Sequence, residues 1–354
     1  TQNAIRQLNS YGVQPDILIA RANMPLDQKR KEKLSISCSV PAAHIISAPD
    51  VDSIYDVPLN FEADGLSDII LRELNITPKQ DSDLSEWKDL AARMHNGSKI
   101  VKIGIVGKYF DTGDFVLSDA YLSVIEAIKY SAAQLGVKAK IDWLNAKSYQ
   151  TDPSKVAELK NYDGIIVPGG FGETGIEGKI LTAQFCRENK IPYFGLCYGL
   201  HMLVIEYARH VLDMKDANTT EIDPATPFPV IDIMLEQKEK LANKNYGGSM
   251  RLGAYTTALK DGSIVRDAYG EPEVSERHRH RYEINPEYVE KFEKAGLVFS
   301  GTWAEGQLKE IAELPRNVHP FMVGTQYHPE LKARPLAPHP LFTAFLQASL
   351  DGQK

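Results

Sequence analysis

Apolar positions along residues 100–211 follow a rhythm typical of alternating strands and helices. A nearly continuous apolar run, IVKIGIVG, begins at residue 100, and shorter runs occupy residues 140–144, 164–167 and 191–196. Between or after these runs lie four segments whose apolar residues have the spacing of a helix: 118–135, 154–159, 179–189 and 198–211. Strands that are apolar throughout are typical of parallel sheets buried on both faces. The pattern predicts an α/β fold built on a doubly wound, mostly parallel sheet.

The amino-terminal part of the chain has a different pattern. It contains a helix-like start, an apolar strand at residues 17–20, a basic helical stretch at 28–34, and two short apolar runs, SISCSV and HIISA. We predict that the run around Cys38 is a strand. These elements are too few to close a large core, and the chain opens without Met, so we expect a remnant of a larger α/β domain.

A polar segment around Trp87 and Leu90 separates these two patterns. It is polar at both ends and carries a short amphipathic helix in the middle. We therefore predict an amino-terminal domain over residues 1–80, an interdomain linker over 81–98 and a second domain over 99–354.

Composition narrows the classes of function. The chain has 40 Lys and Arg against 47 Asp and Glu, a net charge of -7, which disfavours nucleic acid or an anionic membrane surface as a partner. No apolar run approaches the roughly 18 residues of a membrane helix, and the first residues lack the apolar core of a signal peptide. We expect a cytoplasmic protein. Three cysteines are too few for a disulfide framework, so each is either a core residue or a chemical group.

Cys197 lies where a predicted strand turns into a predicted helix, within the sequence GLCYG. This is the spacing of a nucleophile elbow, in which Gly195 and Gly199 relieve a sharp turn and the side chain projects at a helix N-terminus. There the amide groups and the helix dipole stabilise a thiolate. A lone cysteine after an apolar strand is more often a buried core residue, but the paired glycines favour a nucleophile.

Two further motifs supply the groups that a thiol nucleophile needs. A predicted strand over residues 321–328 ends in YHPE, which offers His328 as a base and Glu330 as the group that orients it. The sequence PGGFG at 168–172 follows another predicted strand, and its glycines allow backbone N–H groups to form an oxyanion hole together with the N–H of Tyr198. Each motif alone is also compatible with an ordinary turn.

Taken in the order PGGFG, GLCYG and YHPE, the three motifs resemble those of the class I glutamine amidotransferases. The stretches GVQPDILIAR, VDSIY, GGSMRLGAY and RHRHRYE further resemble the carboxy-terminal two thirds of the CTP synthase family. That resemblance implies hydrolysis of L-glutamine and transfer of ammonia to a synthetase domain, where ATP-dependent amination converts UTP to CTP in the final step of de novo CTP synthesis. It also implies a homotetramer when the protein is full length.

The resemblance assigns roles to particular residues. Cys197 would be the nucleophile, His328 the base and Glu330 its orienting partner, with Gly170 and Tyr198 as oxyanion donors. The residues implied to bind glutamine are Gly170, Phe171, Tyr198, His201, Glu221 and Arg279. The residues implied to contact UTP, CTP or ATP are Gln2, Lys33, Asp50 and Val51.

Departures from the family pattern qualify these expectations. Thr174 stands where the family usually has Arg, which questions activation by GTP, and His201 stands where it usually has Gln. No GxxxxGK[ST] phosphate loop occurs in the sequence, so we expect the ATP and Mg²⁺ groups of the full-length enzyme to precede this segment, which then holds no cofactor or metal itself.

Two stretches outside the triad motifs have open interpretations. His278 and His280 form an H-x-H pair that could ligate a metal, although a basic strand facing a polar cleft is the preferred interpretation. The glycine-bearing segment 243–253 matches a family loop that closes on activation. Alternatives for the whole chain are another triad amidotransferase or γ-glutamyl peptidase, and a non-catalytic assembly module.

Overall fold

The computed structural model describes residues 1–107, 121–170, 174–233 and 250–353. The chain divides into two compact units, Thr1–Asn96 and Gly97–Lys354. Within the described residues, no helix is long and apolar enough to cross a membrane.

The first unit combines five α-helices with one pair of parallel strands. The helices are α1 (Gln2–Ser10), α2 (Gln28–Cys38), α3 (Val57–Ala63), α4 (Leu66–Glu73) and α5 (Ser85–Asn96), and the strands are β1 (Leu18–Ala22) and β2 (Ile45–Pro49). Short 3₁₀ helices lie at Ala42–His44 and Ile54–Asp56. A small core joins them, consisting of Ile5, Leu18, Cys38, Val40 and Ile45.

The predicted strand around Cys38 is wrong, because this residue ends helix α2. The helix begins at a cap in which the Asp27 carboxylate accepts the backbone N–H of Arg30 at 2.8 Å. It ends where Ser39 takes a left-handed conformation with φ 55°. The alternation of Ser and apolar residues looks like a strand locally, but the cap and the packing of Cys38 in the core favour a helix.

The segment predicted as a linker contributes a packed helix to the first unit. The predicted amphipathic helix is present as α5, and the indole N–H of Trp87 donates to the backbone carbonyl of Tyr55 at 2.7 Å. His95 lies 2.9 Å from a carboxylate oxygen of Asp56. The first unit therefore extends to Asn96, beyond the predicted boundary at residue 80.

In its described residues, the second unit is built on a nine-stranded sheet with the order β10-β9-β12-β13-β14-β6-β5-β3-β4. These strands are β3 (Ile100–Gly107), β4 (Lys138–Asn145), β5 (Gly164–Val167), β6 (Tyr193–Leu196), β9 (Arg251–Leu259), β10 (Glu273–His280), β12 (Val298–Trp303), β13 (Lys309–Glu313) and β14 (Met322–Thr325). A smaller sheet has the order β11-β8-β7, from β7 (Ala217–Thr219), β8 (Phe228–Ile233) and β11 (Tyr282–Ile284).

Helices cover both faces of the large sheet. The α-helices described in this unit are α6 (Leu122–Gln134), α7 (Ala146–Thr151), α8 (Ile176–Asn189), α9 (Tyr198–His210), α10 (Ile264–Tyr269), α11 (Pro286–Lys294) and α12 (Pro340–Asp351). Apolar residues of α8 and α9 form one buried cluster, and those of α6 and α12 form another. The predicted helix at 154–159 is a 3₁₀ helix, Pro153–Asn161, and a second 3₁₀ helix lies at Pro329–Leu331.

The doubly wound α/β prediction is confirmed for the parallel half of the sheet, from β14 to the edge strand β4. Strands β4, β3, β5, β6 and β14 pair in parallel, with Val167 opposite Gly195 and Thr325 opposite Leu196. The chain therefore leaves β5, β6 and β14 at the same edge, which brings the segments after them together. Beyond β14, strands β13, β12, β9 and β10 extend the sheet in antiparallel fashion, an extension that the sequence pattern did not predict.

Candidate active site

Cys197 occupies a strained turn between β6 and α9. Its backbone has φ 51° and ψ -96°, a conformation that is costly for a residue with a side chain. Its backbone N–H donates to the Thr325 carbonyl at 2.6 Å, which anchors the turn to β14. The side chain is buried, with an exposed fraction of 5%, and lies at the N-terminus of a helix, where a thiolate is stabilised.

The glycines on either side of Cys197 permit this turn by close backbone approach. A Cβ atom at Gly199 would lie 2.1 Å from the carbonyl oxygen of Val167, and one at Gly195 would lie 2.6 Å from the carbonyl carbon of Gly199. Both distances are far inside van der Waals contact. The elbow motif read from the sequence thus has a steric basis in the packing of α9 against β5 and β6.

His328 and Glu330 follow β14, the parallel neighbour of β6. The Nδ1 atom of His328 lies 2.7 Å from Oε1 of Glu330, and the imidazole also hydrogen bonds to the side chain of Cys197. Burial by itself would lower the pKa of His328, but its hydrogen bonds to Cys197 and Glu330, together with their charges, raise it to about 10. The imidazole is therefore protonated near neutral pH, beside the sulfur.

The third motif reaches the same edge of the sheet from β5. A Cβ atom built on Gly169 would lie 3.0 Å from Cε1 of His328 and 3.8 Å from Cβ of Cys197, so glycine leaves room beside the sulfur. The next residue, Gly170, lines the same cavity as Cys197 and Tyr198. Tyr198 is the first residue of α9, where backbone N–H groups point out of the helix N-terminus. Phe171 lies outside the described residues.

A cavity of about 200 Å³ opens at this edge. The residues that the sequence assigned to glutamine and that the structure describes all line it: Gly170, Tyr198, His201, Glu221 and Arg279. Four further lining residues were not singled out for this role: Met250, His280, Arg281 and Tyr282. Three of them, His280, Arg281 and Tyr282, follow Arg279 directly in the stretch RHRHRYE, and this position could have suggested them. Thr174 is exposed in the turn before α8, and most of the predicted lid segment 243–253 lies outside the described residues.

His201 reaches its position from the second turn of α9 and faces inward. Its Nε2 atom lies 2.9 Å from Oε1 of Gln326, and the amide nitrogen of Gln326 lies 3.7 Å from the Cys197 sulfur. Burial lowers the pKa of His201 to about 4, so the ring is neutral at ordinary pH. Gln326 was not predicted from the sequence, although its position directly before YHPE indicated that it lies at the same strand end as His328.

The H-x-H pair is buried, and His280 forms part of the cavity wall. His278 and His280 lie on the inner face of β10, as the predicted alternation requires, while Arg277 and Arg279 are exposed. Nδ1 of His278 lies 2.9 Å from Nε2 of His280. Arg251 forms an ion pair with Glu310 at 2.6 Å beneath them. Among the residues that the structure describes, no group of three or more His, Cys, Asp or Glu side chains is placed to hold a metal ion.

The four residues assigned to nucleotides divide between two places in the first unit. Gln2 and Lys33 line a cavity of about 480 Å³ between α1 and α2. Asp50 and Val51 follow the end of β2, outside the lining of that cavity, and the Asp50 carboxylate pairs with Arg21 at 3.2 Å. Arg30 is a further cationic lining residue of the cavity. The structure thus brings the first two residues together and leaves the other two apart from them.

Each of the two units matches a known protein family. The family model "Glutamine amidotransferase class-I" matches residues 116–348, and the model "CTP synthase N-terminus" matches residues 1–76. A protein named CTP synthase from Bifidobacterium longum is 46% identical over 354 residues, which cover 100% of this chain and 63% of that protein. One of the same name from Thermococcus gammatolerans is 43% identical over 352 residues, covering 99% and 64%.

A solved structure shows the same likeness in the second unit. The glutaminase domain of CTPS from Trypanosoma brucei, with bound acivicin, is 33% identical and aligns with a TM-score of 0.65. The alignment covers 72% of this chain and 95% of that one. The chain spans about 63% of the length of the curated relatives that it matches.

Proposed function

The chain belongs to the CTP synthase family, and we propose that its second unit hydrolyses L-glutamine at Cys197. The observation that carries this proposal is the contact of Cys197, held in a strained elbow, with a His328 imidazole that is itself bonded to Glu330 at 2.7 Å. A thiol, a base and a group that orients the base are the parts of a nucleophilic amidase.

The reaction proceeds in two stages. The Cys197 thiolate attacks the side-chain amide carbon of glutamine, and backbone N–H groups of Gly170 and Tyr198 stabilise the oxyanion. His328 gives its proton to the departing nitrogen, so ammonia leaves and a γ-glutamyl thioester remains. A water molecule then attacks the thioester as His328 takes its proton. Glutamate departs, and the thiolate with its imidazolium is restored.

The cavity lining supplies partners for the polar ends of glutamine. Glu221 offers a carboxylate to the α-ammonium group, and Arg279 offers a guanidinium to the α-carboxylate. His201 is committed to Gln326 in the structure, so it shapes the cavity wall. Its contact with glutamine is through the ring surface in this proposal.

For the whole protein we propose ATP-dependent amination of UTP to CTP by this ammonia, in the cytoplasm. The match of residues 1–76 to the CTP synthase model favours this activity over a γ-glutamyl peptidase. In the first unit the cavity lined by Gln2, Lys33 and Arg30 is the cationic surface suited to nucleotide phosphates. Mg²⁺ with ATP, activation by GTP and a homotetramer belong to the same proposal.

The test is a comparison of two cysteine variants. Cys197→Ala should abolish ammonia release from glutamine and trapping of the thioester, because it removes the nucleophile. Cys186→Ala is the matched control, since Cys186 is buried in the core away from the cavity. We expect it to retain most of the rate. Equal glutaminase rates in Cys197→Ala and the parent chain would contradict the assignment.

A further inference from the structure

Gln326 is a buried amide that lies between the nucleophile and another polar side chain. It has no exposed surface. Its Nε2 atom lies 3.7 Å from the Cys197 sulfur, and its Oε1 atom lies 2.9 Å from Nε2 of His201. Both ends of the amide are therefore used, one on the reacting sulfur and one on α9.

The backbone around Gln326 fixes this position. Its N–H donates to the carbonyl of Glu310 on β13 at 2.7 Å. The preceding residue, Thr325, accepts the N–H of Cys197 at 2.6 Å. Gln326 is thus held from both neighbouring strands, and its side chain approaches the sulfur from the β14 side of the elbow.

The ring of His201 determines which end of the amide faces the sulfur. An amide oxygen only accepts hydrogen bonds, so the His201 nitrogen that contacts it must carry the proton. The ring is neutral at ordinary pH and has a single N–H, for which the Gln326 oxygen and the Tyr282 backbone are both acceptors; the 2.9 Å contact assigns it to Gln326. With its oxygen held in this way, the amide presents its NH₂ group to Cys197. The opposite tautomer would turn the oxygen toward the sulfur and repel a thiolate.

We propose that Gln326 is a further catalytic residue, which donates a hydrogen bond to the Cys197 thiolate, and that His201 is the positioning residue that orients its amide. This inference rests on the proposed role of Cys197 as the nucleophile. The thiolate then has two donors, the His328 imidazolium and the Gln326 amide.

The amide differs from the other groups at the sulfur because it does not titrate. His328, with Glu330 behind it, contacts Cys197 directly, and the other charged and titratable groups line the cavity: Tyr198, His201, Glu221, Arg279, His280, Arg281 and Tyr282. His328 loses its proton as the pH rises, whereas Gln326 donates at every pH. Its contribution therefore appears as a constant displacement of the pH at which the thiolate forms.

The experiment measures the thiolate directly, without turnover. The 354-residue chain is treated with iodoacetamide across a range of pH, and alkylation of the Cys197 peptide is followed by mass spectrometry. Gln326→Met keeps the length of the side chain but removes the donor. We expect the alkylation midpoint to rise by about one pH unit, the effect of losing one hydrogen bond to a charged group. The glutaminase kcat should fall about tenfold with KM little changed.

Four further variants separate this role from a structural one. His201→Gln keeps an uncharged N–H donor and should retain a midpoint near that of the parent, whereas His201→Met should raise it. His319→Gln is the matched control, because His319 is also a buried histidine whose pKa is lowered to about 4 by burial. It lies before β14 and hydrogen bonds to the backbone carbonyl of Cys186. We expect no change in its midpoint. Gln326→Glu places a carboxylate beside the sulfur and should raise the midpoint more than Met does.

The outcomes distinguish this inference from the proposed function. An unchanged or lowered midpoint in both Gln326→Met and Gln326→Glu would overturn it and would indicate the opposite tautomer or no contact. If the parent chain releases no ammonia but the midpoints shift as expected, the glutaminase proposal fails and the thiolate contact stands. If ammonia release falls in the Gln326 variants with no change in midpoint, the residue is only structural and the inference is wrong.

Discussion

At the level of single residues, the charge of the His328 imidazole depends on the acceptor side chains around it. Its imidazole is mostly buried, which disfavours a charge, yet its pKa is raised to about 10 by hydrogen bonds and charge from Cys197 and Glu330. The charge on the ring is therefore a property of the three side chains together. Removing one partner should change the behaviour of the others.

Glu330→Gln should lower the pKa of His328, because it removes a charge and a strong acceptor. Deprotonation of His328 limits activity at high pH, so the alkaline limb of the glutaminase pH profile should move to lower pH. We expect kcat/KM at neutral pH to fall roughly tenfold or more, as for the third member of a catalytic triad. Steady-state rates from pH 6 to 10 measure both effects.

The control for that variant is Glu305→Gln, which removes the same charge from an exposed residue of the β12–β13 turn. Its pH profile should match the parent. An alkaline limb in Glu330→Gln that coincides with the parent's would show that Glu330 does not set the protonation of His328.

At the scale of elements, the elbow depends on how closely α9 approaches the sheet. Cys197 holds its strained conformation because α9 sits against β5, and that approach is possible only without a side chain at Gly199. Strain of this kind persists when the surrounding packing determines it. The element therefore links the core of the unit to the position of the sulfur.

Gly199→Ala should destabilise the second unit by about 3 kcal/mol, because its Cβ would lie 2.1 Å from the Val167 carbonyl oxygen and the backbone would have to shift. Cys197 alkylation should slow as the elbow opens. Gly352→Ala is the matched control: its nearest neighbour would be 3.6 Å away, and its effect should be within about 0.5 kcal/mol. Urea unfolding curves compare the two. Similar unfolding midpoints in both variants would rule out a steric role for Gly199.

Element boundaries show where local pattern was insufficient. The strand predicted around Cys38 belongs to α2, since a capped start at Asp27 and packing of the helix end outweigh the alternating residues. The predicted strand 321–328 ends at Thr325, and the residues after it leave the sheet. That early end is what allows Gln326 and His328 to turn toward the cysteine.

At the scale of the whole molecule, each unit has a core of its own. The two large apolar clusters draw all their residues from the second unit, and the small cluster draws its residues from the first. Every described residue of the candidate active site lies in the second unit. The candidate active site should therefore be independent of the first unit in its folding.

A protein of residues 97–354 should fold and retain alkylation of Cys197 and glutamine hydrolysis within about tenfold of the 354-residue chain. The reason is that the buried clusters and the contacts of His328, Glu330 and Gln326 are complete within it. Circular dichroism and thermal unfolding measure folding, mass spectrometry after iodoacetamide treatment measures alkylation, and ammonia release measures hydrolysis. A folded fragment that neither alkylates nor hydrolyses would show that the site requires residues 1–96.

Local patterns in the sequence were sufficient to predict the α/β class, the parallel half of the large sheet and the three motifs that meet in the candidate site. These features are local: apolar runs identify buried strands, and glycine pairs, Cys, His and Glu identify themselves by type and spacing. Because parallel strands share an edge, the chain order of the motifs was sufficient to bring them together.

Tertiary structure alone decided the antiparallel half of the sheet, the extent of the first unit and the contacts of Gln326. Gln326 is 129 residues from Cys197 and 125 from His201 along the chain. Contacts over such separations depend on which strands become neighbours and where each one ends, and on burial, which keeps His201 neutral and holds one orientation of the amide. No pattern within a single segment contains that information, because it arises only when three separate segments are packed around one sulfur atom.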